Sequence, residues 1–366
     1  MKKSISKGTA KKENGVVMGI DLGDRFSQYA VINDKATIVE EGRVPTVPAS
    51  IEKLLEGRPA MRVVIETSTQ SPWVSRLVKK LGHEPVVSNS RKVKLISQSK
   101  NKRDRVDARL LARLGRADVA LLSPVRHRTE VTQQHRAWLL ARDAAVQSRT
   151  KLINHFRGIV KSLGHRLPSC SAEAFLKRAV PSIPKILQEA LAPLVPVIEA
   201  ANTAIRLYDK QLAALARKHY PVTERLQQVT GVGPITALAY ALTLEDPSRF
   251  RRSRSVGAYL GLVPGTHASG DQDPQMHITK EGDVMMRRLL VNGAQYILGR
   301  FGPECDLRSY GQRIAQRGGK IAKKRAVVAV ARKLAVLLHK LWTDQVDYDP
   351  MYVSKRLQSQ TACQAA

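Results

Sequence analysis

Apolar and polar positions change period along the chain, and the changes mark its parts. Residues 16–21 (VVMGID), 28–33 (QYAVIN) and 35–40 (KATIVE) predict three hairpin-linked strands. A helix near Ala49–Leu55, a strand at 61–66 (MRVVIE), a helix near Trp73–Leu81, a strand at 84–88 (EPVVS) and a helix from Asp104 to Arg116 follow. Strands first, then strands alternating with helices, predict a mixed α/β sheet. From Arg128 to Tyr220 apolar residues recur every three and four positions, as on one face of a helix. Pro181, Pro184, Pro193 and Pro196 kink that run, and Val195–His219 suits pairing with a second helix as a short coiled coil. Leu226 to Trp342 mixes helices with Gly/Pro-punctuated loops, and the last twenty or so residues predict disorder. The expected organisation is a basic flexible tail (1–14), an α/β domain (15–127), a helical dimerisation segment (128–222), a mostly helical C-terminal domain (223–345) and a tail (346–366).

Charge then narrows the partner. Sixty-one Lys+Arg against 31 Asp+Glu leave a formal charge of +30 over 366 residues. The excess is clustered: twelve cations and three acids lie between Arg91 and Arg128, and ten cations and no acid between Arg308 and Lys340. Arg249, Arg251, Arg252 and Arg254 form a third cluster. Solvated helix faces mix both signs, so stripes of one sign point to a polyanion, and phosphate backbones supply one through counterion release. Lys100, Lys102, Arg103, Arg105, Lys280, Arg287, Arg288, Lys323, Lys324 and Arg325 are the remaining candidate nucleic-acid contacts. The longest apolar candidate, Ala326–Leu338, is broken by Arg332 and Lys333, which argues against a membrane span. Cys170, Cys305 and Cys363 lie far apart without a CxxC pair, against a disulfide framework or structural zinc. A cytoplasmic protein with a polyanionic partner is the expected setting.

The acids that remain are placed where chemistry needs them. Asp21 ends the first predicted strand and Glu66 ends the strand VVI, in an element order that matches the ribonuclease-H-like arrangement. Asp104 and Asp107 stand three apart at a helix start, hence on one face, inside the basic run KNKRDRVDARLLAR. Four such carboxylates suit hard divalent cations, Mg²⁺ or Mn²⁺, which assist phosphodiester displacement. The plainer reading of Asp104 and Asp107 is a pair of acids at a helix N-terminus matched to Arg105 or Arg109. The first strand also fits another story, since GIDLGDRFS resembles the phosphate hairpin of actin-like ATPases and sugar kinases. That class requires a second acidic hairpin and an adenosine motif, and neither stands out.

Two further segments carry candidate chemistry. LQQVTGVGPITALAYAL (226–242) resembles a helix–hairpin–helix, whose Gly231–Gly233 turn offers backbone N–H groups to phosphate. A simple packing corner is the alternative. The loop PGTHASGDQDP carries Ser269, flanked by His267 and followed by His277, Lys280, Arg287 and Arg288. A serine hydroxyl beside cations can attack a phosphodiester and conserve its energy in a phosphoserine bond.

Taken in order, GIDLG, VVIETS, KNKRDRVDARLLARL, VTGVGPITALAYAL, YLGLVPGTHASG and ITKEGDVMMRRLL resemble one class of insertion-sequence transposases. These join a DEDD-type, RuvC-like domain to a C-terminal serine-bearing domain, and include Piv-type DNA invertases and bridge-RNA-guided recombinases. The resemblance spans about Val16 to Trp342. It implies a metal-binding catalytic tetrad of Asp21, Glu66, Asp104 and Asp107, with Ser269 as nucleophile in a composite site. It also implies a coiled-coil homodimer, assembling further to a tetramer on DNA, and a noncoding guide RNA pairing with donor and target DNA. The chain departs from the family at Thr67-Ser68-Thr69-Gln70, at Ser90 where Pro is frequent, and at Thr279 where Ser is frequent. A DNA transposase is thus the expectation. A RuvC-like nuclease, an invertase without a guide RNA and a nucleic-acid-binding scaffold are its rivals.

Overall fold

The computed structural model describes residues 15–90, 104–265 and 276–365, without the side chains of 104, 105 and 360–365. The chain separates into two compact units, Met1–Arg128 and Thr129–Ala366.

The first unit is built on a five-stranded sheet of order β3-β2-β1-β4-β5. Its strands are β1 (Val17–Asp21), β2 (Phe26–Ile32), β3 (Ile38–Pro45), β4 (Arg62–Glu66) and β5 (Glu84–Ser88). β1, β2 and β3 pair antiparallel, while β4 lies parallel to both β1 and β5. Helices α1 (Pro48–Leu55), α2 (Ser71–Lys80) and α3 (Asp104–Ala117) cover it. This is the mixed, ribonuclease-H-like sheet expected from the pattern. Strand alternation sorts the apolar side chains. Met18, Ile20, Val63 and Ile65 pack with Ile51, Leu55, Val74 and Val78 of α1 and α2, whereas Val17, Ile32, Val64 and Val86 pack with Leu111, Ala112 and Leu114 of α3.

One strand is displaced from its expected place. KATIVE starts not at residue 35 but at Ile38, because 33–37 form the hairpin turn. The Asn33 side chain accepts the N–H groups of Lys35 and Thr37 (3.0 and 2.9 Å), and Ala36 takes a positive φ of 60°.

The second unit is helical. Helix α4 (Glu130–Ser162), capped by Thr129 accepting from Thr132 N–H, packs along α7 (Val195–His219). Between them the proline-rich stretch folds as α5 (Phe175–Arg178), α6 (Lys185–Leu191) and short 3₁₀ turns, around Phe156, Phe175 and Ile198. The stretch Lys185–His219 is long and apolar enough, by length and composition, to cross a membrane, which counting unbroken apolar runs did not show. Within the unit, α7 buries Ile198, Ile205 and Leu212, and its Asn202 and Asp209 accept from Arg149 and Arg142 of α4.

The larger core surrounds α9 (Pro234–Leu244), buried from Thr236 through Leu244, with the Tyr240 hydroxyl donating to Ala335 O at 2.6 Å. Around it lie α8 (Val222–Gln227), α10 (Arg254–Tyr259), α11 (Val284–Leu298), α12 (Asp306–Ala315) and α13 (Gly319–Asp344). Leu139 of α4 and Leu212 and Ala216 of α7 belong to the same core. The expected disordered end is instead a helix, α14 (Tyr352–Ala365). Its first turn is anchored by the Asp306 carboxylate, which accepts from the N–H of Val353 and Ser354 and from the Ser354 hydroxyl.

Candidate active site

Strand parity brings two of the candidate acids together. Asp21 follows Val17 and Gly19 on the α3 face of β1, and Glu66 follows Val64 on the α3 face of β4. β1 and β4 are parallel with Ile20 opposite Ile65, so the two carboxylates end neighbouring strands on one face. Ser88 ends β5 opposite Glu66, on the face of Val86.

Helix α3 runs over these strands in the opposite direction. Gly115 lies at the start of the strands, its carbonyl accepting from Arg62 of β4 (2.8 Å) and a Cβ there falling 3.5 Å from Val17 Cγ1 of β1, while a Cβ on Gly19 would strike the backbone of Ala108 and Ala112. The N-terminal turn of α3 therefore lies toward the strand ends that carry Asp21 and Glu66. Gly19 permits this seat: no other residue leaves room for the helix backbone. Asp107 is buried, at 7 % exposure, beside the Ala108 that covers Gly19. Asp104 lies one turn earlier on the same helix face. Arg109 is engaged elsewhere, in an ion pair with Glu41 of β3 that raises the guanidinium's pKa. Of the two arginines that the plainer reading matched to the helix-start acids, Arg109 is thus turned to Glu41, and the side chain of Arg105 lies outside the described residues.

The donor set fits a hard divalent cation. Its atoms are carboxylate oxygens from β1, β4 and α3, the hard oxygen ligands that such a cation takes. Beside them Ser88 Oγ, fully buried, has no hydrogen-bond partner among the described residues. Among the described residues, no three Asp, Glu, His or Cys side chains yet close on one point. Ser88 was missed in the sequence; counting alternate positions back from the end of EPVVS gives its face.

The serine segment lies in the second unit. Ser269 and His267 fall outside the described residues, as do Lys100, Lys102 and Arg103; Asp104 and Arg105 are described in backbone alone. Both flanks of residues 266–275 are pinned together. Gly265 N–H donates to His277 O (2.9 Å), Thr279 N–H to Val263 O (2.9 Å) and Lys280 N–H to Gly261 O (3.1 Å). Gly261 (φ 66°) and Gly282 (φ 74°) pack so closely on the opposite flank that a Cβ at either would meet its backbone.

The candidate cations divide into two groups. Arg287 donates to Leu260 O and Glu281 O, clamping the base of the serine segment, and Arg288 pairs with Asp143 of α4. Arg251, Arg252, Lys280, Lys323, Lys324 and Arg325 are exposed and form no ion pair among the described residues. In the glycine turn, Gly231 (φ 83°) meets the backbone of Gly293 in α11, and a Cβ would come within 2.7 Å of its carbonyl. Gly231 thus serves packing, and Gly233, at the start of α9, is the one facing open space.

The sequence model of a DEDD transposase family of the IS110 type matches residues 18–164, and that of the Transposase IS116/IS110/IS902 family matches 223–310. The chain is 30 % identical over 346 residues to the transposase for insertion sequence element IS1111A of Coxiella burnetii, covering 91 % of each. It belongs to the IS110/IS116/IS902 family of transposases. A putative transposase y4pF/y4sB of Sinorhizobium fredii is 29 % identical over 94 % of this chain and 88 % of its own. A probable family 20 transposase of Pseudomonas aeruginosa is 26 % identical over 91 % and 98 % respectively. This transposase is accordingly an enzyme of DNA strand transfer that binds DNA, and its DEDD domain implies a divalent metal. The ATPase reading of GIDLGDRFS falls away, because that segment lies in the DEDD match.

Proposed function

We propose that this transposase cuts and rejoins DNA by attack of Ser269 on a phosphodiester, with a divalent cation held by Asp21, Glu66, Asp104 and Asp107. The observation that carries the reading is the placement of Asp21, Glu66 and the N-terminal turn of α3 on one side of the strand ends. Mg²⁺, when bound, supplies charge stabilisation to the phosphoryl oxygens. Asp21 and Glu66 would hold it from the sheet, and Asp104 and Asp107 from the helix seated on Gly19. The Ser269 hydroxyl gives its proton to water, its oxygen bonds to phosphorus, and the bond to the displaced deoxyribose oxygen breaks; that oxygen takes a proton from water and leaves as a hydroxyl, with the DNA on the protein. Rejoining reverses the step with another strand's hydroxyl. The pinned flanks of residues 266–275 fix where the segment that carries that serine begins and ends.

Arg251, Arg252, Lys280, Lys323, Lys324 and Arg325, with Lys100, Lys102, Arg103 and Arg105 in the basic run, hold phosphates of DNA or of a structured noncoding guide RNA. Gly233 adds backbone contact. The protein acts as a homo-oligomer joined through α4 and α7. The test is recovery of a covalent protein–DNA adduct on the element's own ends. Wild type yields the adduct and Ser269→Ala does not; full cutting by Ser269→Ala would instead establish a metal-dependent nuclease in which the serine is incidental. Sequencing nucleic acid that co-purifies decides the guide: one dominant structured RNA supports it, unrelated fragments refute it.

A further inference from the structure

The register that joins Asp21 to Glu66 continues across the sheet. Asp21 pairs with Gln28 of β2, and Gln28 with Arg43 of β3, so Arg43, Gln28, Asp21, Glu66 and Ser88 form one cross-strand row. Alternation keeps the row on the α3 face: Ile32, four residues beyond Gln28, packs against α3, and Glu41, two before Arg43, binds Arg109 of α3. One step toward the rim, on the same face, Phe26 is 43 % exposed. The Arg43 guanidinium stands 3.8 Å from its ring centroid. Pro45, the cross-strand partner of Phe26, is exposed too. The two nearest acids of β3 are taken, Glu40 by Arg58 and Glu41 by Arg109, and Arg43 has no ion pair among the described residues. Two strand spacings of about 4.8 Å put Arg43 roughly 10 Å from Asp21, the reach of a nucleotide or so along a strand.

We propose that Phe26 and Arg43 form a platform for an unpaired nucleotide of the DNA strand whose scissile phosphate lies at the acids. The base stacks on the Phe26–Arg43 pair, and the guanidinium takes the adjoining phosphate. A ring left in water at the mouth of a hairpin, with an uncompensated cation over it, lies outside both cores of this unit and suits a ligand that is planar and anionic at once. The platform rests on the reading of the acids as the cutting site. It orients the strand and takes no part in bond breaking.

The test measures binding of the full-length protein to a short fluorescein-labelled single strand from the element's end, with an abasic residue walked along it. Phe26→Ala weakens binding by about 5- to 150-fold, and Phe26→Trp retains it. One abasic position reproduces the loss and adds nothing further in Phe26→Ala. Unchanged affinity in Phe26→Ala, or a loss that adds equally to every abasic position, overturns the platform. Asp21→Asn separates the two claims: it abolishes cutting and keeps the Phe26 effect on binding. Should Asp21→Asn still cut, the acid reading fails, while the abasic walk still decides the platform.

Discussion

Gly19→Ala tests the geometry of the acid site without touching an acid. A Cβ there would lie 2.5 Å from Ala112 N and closer still to Ala108 O. Both obstacles are backbone, so no side-chain rotation relieves them, and restoring a contact of about 3.2 Å to each lifts α3 by roughly 1 Å. That motion carries Asp107 and Asp104 away from Asp21 and Glu66. Overpacking of this kind costs about 1–3 kcal/mol of stability, and misplacing a catalytic group by about 1 Å costs on the order of 10²-fold in rate. Cutting of the element's end by Gly19→Ala is therefore expected to fall about a hundredfold at a temperature where melting curves show it folded. DNA affinity should change little. Gly158→Ala is the control, because nothing lies within 4 Å of its Cβ and α4 gains helix propensity. Wild-type cutting by Gly19→Ala would refute the seating of α3 on β1 as the device that positions Asp107.

Two other outcomes follow from the charges. Replacing Lys323, Lys324 and Arg325 together by Ala should lower the slope of log affinity against log salt by about 0.9 per lost phosphate contact, whereas Arg288→Ala, already paired with Asp143, should leave it unchanged. Equal slopes for both would remove α13 from the nucleic-acid surface. His127 is half-buried against the Ser71 hydroxyl (2.9 Å), and burial first, then Arg76 and Arg128, hold its pKa below the ordinary 6.5. Folding therefore favours the neutral ring, and stability contributed by it is lost as pH falls below about 6.5. His127→Gln should flatten the acid side of the melting-temperature profile; an unchanged profile would show that His127 does not titrate on unfolding.

The sheet was legible because its strands are apolar and short. VVMGID, MRVVIE and EPVVS match β1, β4 and β5 within a residue, and both strand-end acids followed. β3 was misplaced since IVEEGRVP alternates no apolar face: Glu41 and Arg43 turn toward α3 as polar groups, and Asn33 rather than an apolar edge ends the turn. The C-terminal helix was invisible because its anchor, Asp306, lies 47 residues before Val353 in sequence. The same limit separated the cations. Arg287 and Arg288 are basic like Lys323, yet only tertiary contacts reveal that a loop carbonyl and Asp143 already hold them. The packing role of Gly231 was equally hidden, since it depends on Gly293, 62 residues further along the chain.

The central claim is that acids from β1, β4 and α3 together hold the cation that DNA cutting uses. Its most direct test is Mn²⁺ binding by electron paramagnetic resonance, with strand cutting followed in the same samples of wild type, Asp21→Asn, Glu66→Gln and Asp107→Asn. The account predicts saturable Mn²⁺ binding and cutting in the wild type, both lost in each variant while the fold and DNA affinity persist. Cutting by Asp107→Asn at the wild-type rate, or Mn²⁺ bound equally by all four proteins, would contradict it.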